Sequence, residues 1–476
     1  MPSEQPSTAA GLLDDLVARE LRRTPVTAAR LGAPVDGATL PDMSDEGIRA
    51  SAAEDREWIG RLRAFEAPTE DDRFDRDLAV SGLRHRLVLN ELAMHRRSPE
   101  LYTSPVLAAL RLGVNQRDYL EQAPDMLRHG RHNLDPSLAD PQLLSRAAVQ
   151  AKAGAAVCER LGGSAAALAY AEFAVFLGDL AVSAHGDPAV GERSYTALVQ
   201  AAAGAGYDAR SVHELGLARV RELKERLATL PVFTDQPARD AEQALEWYRE
   251  ETARAKRFCV ERRIVTLPDD EECEVAATPP DKLALLPVAS YEPPPLLGGS
   301  GQGRFLVPPT PQRRSGMATV TVHETYPGHH AHYSRMSRRP LRALFTTPFF
   351  TEGWGVYAEQ LAGELGYYDG PGELRGHLVA LLVRAARAAI DAGLHTGAMT
   401  AEDARGFLTG ELNLPERYAD AEVGRCLAYP SQAAAYLIGA TEIAAIVATA
   451  GGPSAEVHDR LTALGSPPLP LARAAL

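Results

Sequence analysis

Residues 322–330 read Val-His-Glu-Thr-Tyr-Pro-Gly-His-His, VHETYPGHH, and the reading of this stretch decides the rest. It opens like the zinc-hydrolase pattern H-E-x-x-H, in which two histidines four apart on a helix share an ion and the intervening Glu acts as general base. Here the next histidine, His329, follows His323 by six positions. At 3.6 residues per turn, six positions rotate through roughly 600° and leave the rings about 120° apart. A regular helix would keep them from a common ion. Regularity is not expected, because Pro327 lacks an amide hydrogen and crowds the preceding turn, while Gly328 accepts backbone angles other residues avoid. Without Thr325 and Tyr326 the segment would be His-Glu-Pro-Gly-His, with the ordinary spacing. A bulge over Thr325–Pro327 inside one kinked helix is therefore expected to bring His323 and His329 onto one face. His330 and His332 compete as ligands or as plain imidazoles.

A hydrolytic zinc site typically takes three protein ligands and keeps a position for water. The third is expected in TTPFFTEGWGVYAEQLAGELG (346–366), read as a helix following Pro348 with Thr351 as its N-cap. Glu352 and Glu359 are seven apart and so share a helix face. Glu352, set among FFTEGW, is the expected third ligand, and Glu324 the expected base. Glu359 is expected to orient a ligand histidine through a hydrogen bond from behind; its alternative is an exposed helix charge.

Outward from this centre, residues 9–230 repeat apolar side chains at three- and four-residue intervals and read as helices, with Ser211 as one N-cap. From 262 the chain becomes Pro- and Gly-rich. RIVTL, CEVAA, LLPVASY and GRFLV read as strands or extended segments of a small sheet. Helical periodicity returns from Gly316. The fold expected is mainly α, a multi-helical zinc-peptidase-like fold with a small β insertion before the metal-binding helix. Its regions would be 1–261 (helical), 262–310 (β and extended) and 311–476 (helical, catalytic), forming one cleft.

The 476 residues are 45% hydrophobic and 24% charged, with a net charge of −13, which argues against a nucleic-acid partner, since phosphate binding wants a basic face. Cys158, Cys259, Cys273 and Cys426 lack C-x-x-C spacing and read as free thiols. The first twenty residues show no basic segment followed by an apolar one. The apolar stretch 165–184 is interrupted by Glu172 and Asp179 and suits a buried helix better than a membrane span. A cytoplasmic protein with no membrane partner is expected, its oligomeric state open.

VHETYPGHH, FFTEGWGVYAEQLAGELG, RAARAAIDAGLHTGAMTAEDA (384–404) and YPSQAAAYLIG (429–439) together resemble the bacterial domain-of-unknown-function family 885. That family has HE-x-x-P-G-H-H, E-G-W, D-T-G-L-H and P-G-Q-A-x-x-Y-x-x-G segments, and residues 191–220 are similar to its middle region. The chain departs from the pattern with Asp391-Ala-Gly-Leu-His395, with Ser431 in place of Gly, and with Cys426 where an aromatic often stands. The resemblance implies a helical fold related to the thimet oligopeptidase and carboxypeptidase Taq type of zinc peptidase. It implies His323, His329 and Glu352 as ligands and Glu324 as base.

An oxyanion formed on attack needs a donor, and Tyr436 or His395 is expected to supply it, with Tyr429 and Tyr418 in reserve. Arg387, Asp391 and His395 recur every four residues and form one stripe, an ion-pair ladder or a cleft wall. In the second case Asp391 supports the site from behind, and Arg387 or Arg425 pins a substrate carboxylate. Tyr291 and GRFLV are expected to offer an edge to an extended substrate. The function expected is zinc-dependent hydrolysis of amide bonds in short peptides or acyl–amino acid conjugates. A biosynthetic hydrolase or transferase using the same centre, or a non-catalytic metal- or peptide-binding protein, stands as the alternative.

Overall fold

Apolar residues at helical spacing become helices that each bury one face. The computed structural model describes residues 9–34, 39–279, 283, 288–298 and 302–476. The chain is mainly helical with one small sheet. It divides into two compact units, Met1–Pro188 with Arg339–Phe345, and Ala189–Arg338 with Thr346–Leu476. The sequence boundaries at 261 and 310 both lie inside the second unit.

In the first unit, helix Pro141–Arg160 packs along helix Ser164–Ser183. Tyr102, Leu107, Tyr170 and Phe173 form the centre of its core. Segment Arg339–Phe345 is fastened there by Asp75, whose carboxylate takes Arg342 Nε at 2.8 Å and also Arg339. Helix Ser164–Ser183 buries Ala166, Tyr170, Phe173 and Leu177 but exposes Leu168, Val175 and Val182. The expectation of a buried helix thus holds for one face only. Among the described residues it is the one helix long and apolar enough to cross a membrane.

The second unit holds the candidate site. Helix Ala209–Ala228 lies against the long helix Pro371–Thr396, where Gly216 permits contact with the backbone of Ala385 and Ala389. Helix Pro348–Glu364 packs on helix Ala435–Thr449 through Gly353 and Gly439, each of which would drive a Cβ into the other's backbone. Two caps differ from expectation. Asp208, not Ser211, caps helix Ala209–Ala228, and Ser211 answers it from the third helical position in a capping box. Thr347, not Thr351, caps helix Pro348–Glu364, because Pro348 already occupies the first turn.

Three strands form the sheet: β1 (Glu272–Ala277), β2 (Ser290–Glu292) and β3 (Gln302–Val307), in the order β1-β3-β2. β1 runs parallel to β3 with Glu272 opposite Gln302, and β2 runs antiparallel with Tyr291 opposite Phe305. CEVAA and GRFLV fall in strands as read, and LLPVASY lies partly outside the described residues. RIVTL does not form a strand. It follows helix Ala241–Glu261 through Arg263 at φ 49°, and Ile264 N–H returns to Cys259 O, a helix-ending turn that buries Ile264 and Val265. GRFLV is also no edge: β3 is central and its backbone groups are spent on both neighbours.

Candidate metal centre

His323 lies in the last turn of helix Arg314–Glu324, and His329 begins helix His329–Arg335. Residues 325–328 separate the two helices, so the segment is a break and not a bulge in one helix. The expected two-residue excess is nonetheless absorbed there. Gly328 N–H donates to Val322 O at 3.1 Å and Ala331 N–H to Thr325 O at 3.1 Å, each reaching back six residues where a helix reaches four. Only glycine fits at 328, since a Cβ would stand 2.0 Å from the His323 carbonyl oxygen. The rings of His323 and His329 come to 4.5 Å between centroids, inclined at 75°.

Glu352 meets them from helix Pro348–Glu364. Its Oε2 is 3.3 Å from His323 Nε2 and 3.6 Å from His329 Nε2. One ligand atom from each of His323, His329 and Glu352 lies within 4.8 Å of the other two. Both histidines are buried and Glu352 is partly exposed. Two imidazoles and one carboxylate are the donor set zinc takes in hydrolytic sites, and the partly open side leaves room for water. The residues fit the ion.

The tautomer of His323 follows from its partner. Nδ1 stands 2.6 Å from Glu359 Oε1, and a carboxylate only accepts, so Nδ1 carries the hydrogen and the Nε2 lone pair faces the cluster. Glu359 is fully buried and also accepts from Arg384 at 2.7 Å and from Thr319 Oγ1 at 2.8 Å. Burial works against its charge, but Arg384 and His323 hold its carboxyl down to about 2. Burial likewise lowers His323, yet Glu352 and Glu359 outweigh it and raise the imidazole to about 9. Gly355 makes this packing possible, since a Cβ there would meet the His323 ring at 2.4 Å.

His329 has no such partner. Its Nδ1 is buried without a hydrogen bond among the described residues. The backbone before it is held instead: Trp354 Nε1 donates to Pro327 O at 3.0 Å and to Gly328 O at 3.2 Å. Tyr326 and His330, on either side, both reach Glu271 Oε2, while Lys256 takes Oε1 at 2.6 Å. Glu324 follows His323 directly, half-buried, and burial next to Glu352 raises its carboxyl above the usual range despite both imidazoles.

Tyr436 lies beside the cluster, its ring centroid 6.3 Å from that of His323. Its hydroxyl oxygen accepts from Arg425 at 3.1 Å, which leaves the phenolic proton to be donated elsewhere. Burial and the charge of Glu352 push that phenol up to about 12 against the neighbouring arginines.

Several expected residues are placed elsewhere. His395 is fully buried, bonds the Cys426 carbonyl at 2.8 Å and stacks on Tyr195. Asp391 accepts from Tyr195 at 2.7 Å, and the backbone amides of Ala434 and Ser431 lie near enough to favour its charge. It thus supports the turn leading to Tyr436, not a ligand histidine. The reason is the length of the stripe. Arg384 reaches Glu359, and at 1.5 Å per residue Asp391 and His395 lie about 10 and 16 Å farther along the same helix. Arg387 spends its fork on Glu422, with two bonds of 2.6 Å. Tyr418 accepts from Arg387 and Tyr429 is exposed. Tyr291 stands 2.9 Å from His330 Nδ1. Since His330 Nε2 must donate to Glu271, Nδ1 accepts and the Tyr291 proton is spent on it. His332 bonds the Gly465 carbonyl and is no ligand. Arg384, Thr319, Trp354 and Glu271 escaped the sequence reading. Only Arg384 left a signal there, in the RAAR that begins the stripe.

The profile of the family described as "Bacterial protein of unknown function (DUF885)" matches residues 117–476. No curated protein matches the chain. A candidate lipoprotein of unknown function from Shewanella oneidensis is similar in structure at 17% identity with a TM-score of 0.77, over 98% of this chain and 99% of that one. A candidate lipoprotein from Colwellia psychrerythraea gives 17% identity and a TM-score of 0.76, over 98% and 99%. At such identity the likeness concerns the fold. Trypanosoma cruzi metallocarboxypeptidase 1 covers 98% and 91% at 13% identity, but its TM-score of 0.37 carries no argument. The cytoplasmic expectation is withdrawn: the Shewanella and Colwellia proteins are described as lipoproteins, a class held at membranes by covalent lipid. It rested on the composition of the first residues, which does not fix a compartment.

Proposed function

The chain belongs to the DUF885 family, and on that footing we propose that it is a zinc-dependent hydrolase of amide bonds in short peptides or acyl–amino acid conjugates. The observation that carries this reading is the meeting of His323, His329 and Glu352 around one point, with Glu324 next in sequence to a ligand. When bound, zinc supplies Lewis acidity that polarises a carbonyl and makes water a better nucleophile at neutral pH.

The chain's own residues do the rest. Glu359 fixes the His323 ring so that Nε2 faces inward. Glu324 takes the proton of the attacking water and returns it to the departing amine. Its raised pKa suits that exchange, since a base works best near the operating pH. Tyr436, whose oxygen is already satisfied by Arg425, donates its proton to the carbonyl oxygen as charge develops there. A protein that only bound metal would have no use for a half-buried carboxylate beside the ligands.

Glu324→Gln tests the reading. The variant is expected to hold one zinc per chain, measured by elemental analysis, and to lose about 10²- to 10⁴-fold in kcat/KM on dipeptides and N-acyl amino acids. Equal hydrolysis by both proteins would reject the general-base role.

A further inference from the structure

Three guanidinium groups surround the Tyr436 ring, with Cζ of Arg384, Arg387 and Arg425 at 5.9, 5.8 and 5.6 Å from its centroid. Two of them are matched by carboxylates: Arg384 by Glu359, and Arg387 by both oxygens of Glu422. Arg425 is different. Its Nε donates to the neutral Gln432 at 3.0 Å and one terminal nitrogen to Tyr436 at 3.1 Å, and among the described residues it forms no ion pair. Asp391 and Glu422 are near enough to feel its charge, but Asp391 is engaged with Tyr195 and pushed up to about 8 by burial, and Glu422 gives both oxygens to Arg387. Arg425 is itself half-buried. A guanidinium in that position whose hydrogen-bond partners among the described residues are all neutral is a site for an anion supplied from outside, and its planar fork suits a carboxylate.

The charges of the whole cluster agree. With a divalent cation bound, the ion and Arg384 together balance Glu324, Glu352 and Glu359, while Arg387 and Glu422 cancel. Arg425 is left over as one positive charge, held against the tyrosine that lies beside His323.

Resting on the hydrolase reading above, we infer that Arg425 recognises a free carboxylate close to the scissile amide. The substrate is then a short peptide cut next to its C-terminus, or an acyl group on a free amino acid. Tyr436 joins the two functions. The hydrogen bond it accepts from Arg425 aims its own proton at the reacting carbonyl, and the carboxylate sits along the remaining N–H edge of the same guanidinium. Blocked or internal peptide bonds lack the anion and are poor substrates.

The test measures binding, so that it does not depend on turnover. N-acetyl-alanyl-alanine and N-acetyl-alanine, each beside its C-terminal amide, are titrated calorimetrically into the zinc-loaded Glu324→Gln protein and again after chelation. Each acid is expected to bind about 10- to 100-fold tighter than its amide, as a charge-assisted bidentate contact requires. Arg425→Gln in the same background should abolish that preference, and Arg425→Lys should keep part of it. Acid and amide binding alike, neither probe binding, or an intact preference in Arg425→Gln would each overturn the assignment. If Arg425→Gln does not fold, the acid–amide comparison on the parent protein decides alone. Discrimination between acid and amide without hydrolysis by the Glu324 protein would keep the carboxylate site and reject the hydrolase.

Discussion

His323 and His329 face the same oxygen of Glu352, yet the protein fixes one through its ring and the other through its backbone. Behind His323 stand Glu359, then Arg384 and Thr319, all buried or partly so, and they set both the tautomer and the rotation of the imidazole. Behind His329, no side chain among the described residues bonds Nδ1. Its position comes from Gly328 and His330 on either side, which Trp354 and Glu271 hold from two directions. The difference teaches that a ligand at the end of a regular helix needs its ring oriented, because the helix fixes only its Cα. A ligand that opens a new helix after a tight break can be oriented by the break itself.

Breaking the first arrangement should cost most. Glu359→Gln replaces an acceptor by a group that can donate, so the His323 proton can shift to Nε2 and spoil the lone pair meant for the ion. Zinc affinity is expected to fall about 10- to 100-fold in competition with a chelating dye. An unchanged affinity would mean the helix alone orients His323. The second arrangement is tested by Trp354→Phe, which removes the donor to Pro327 and Gly328 while keeping most of the apolar contact. A loss of about tenfold or less in zinc affinity is expected, with about 1–3 kcal/mol of stability from the Pro327 carbonyl, since Gly328 O keeps the N–H of His332. If Trp354→Phe weakens zinc more than Glu359→Gln does, the backbone matters more than the ring and the comparison is inverted.

A slower effect comes from Asp391. Burial raises its carboxyl to about 8, although Tyr195 and the amides of Ala434 and Ser431 favour the ionised form. In the unfolded chain this group ionises at about 3.9. Between these values the folded state holds the extra proton. Its contribution therefore favours folding below about pH 4 and is lost as pH rises through about 8. Asp391→Asn is expected to flatten the fall of Tm between pH 5 and 9, and parallel profiles for the two proteins would refute this. The smallest effect is expected at Ser431, which sits at φ 70° in the left-handed region. Ser431→Gly should stabilise by about 0.5–1 kcal/mol in thermal unfolding and leave zinc affinity untouched. A change in zinc affinity would couple this turn to the metal through Tyr436.

The candidate metal cluster was legible because spacing and residue type restrict it. Two histidines six apart can share an ion only if two residues are removed from the count, and Pro327-Gly328 shows where. Glu359 was legible from its seven-residue offset to Glu352. The stripe Arg387–Asp391–His395 was legible as one face but not in its depth: Arg387 lies against the Tyr436 ring and pairs with Glu422, while Asp391 and His395 lie farther along the helix. Tyr291 lies on β2, an outer strand of the sheet among the described residues, whereas GRFLV is the central one; no local pattern showed that the Tyr291 hydroxyl would face His330. Glu271, more than fifty residues from the histidines it helps to hold, left no local pattern at all.

By itself, then, the order of residues determined the helical character, the small sheet, the family likeness and the residues from which a metal centre could be built. These depend on periodicity, turn chemistry and donor type, which act over a few residues. The tertiary structure alone decided which carboxylates stand behind which ring and which arginine is left without an ion pair among the described residues. Those outcomes depend on distances between helices far apart in sequence, and hydrogen bonds and ion pairs act only when such distances fall to about 3 Å.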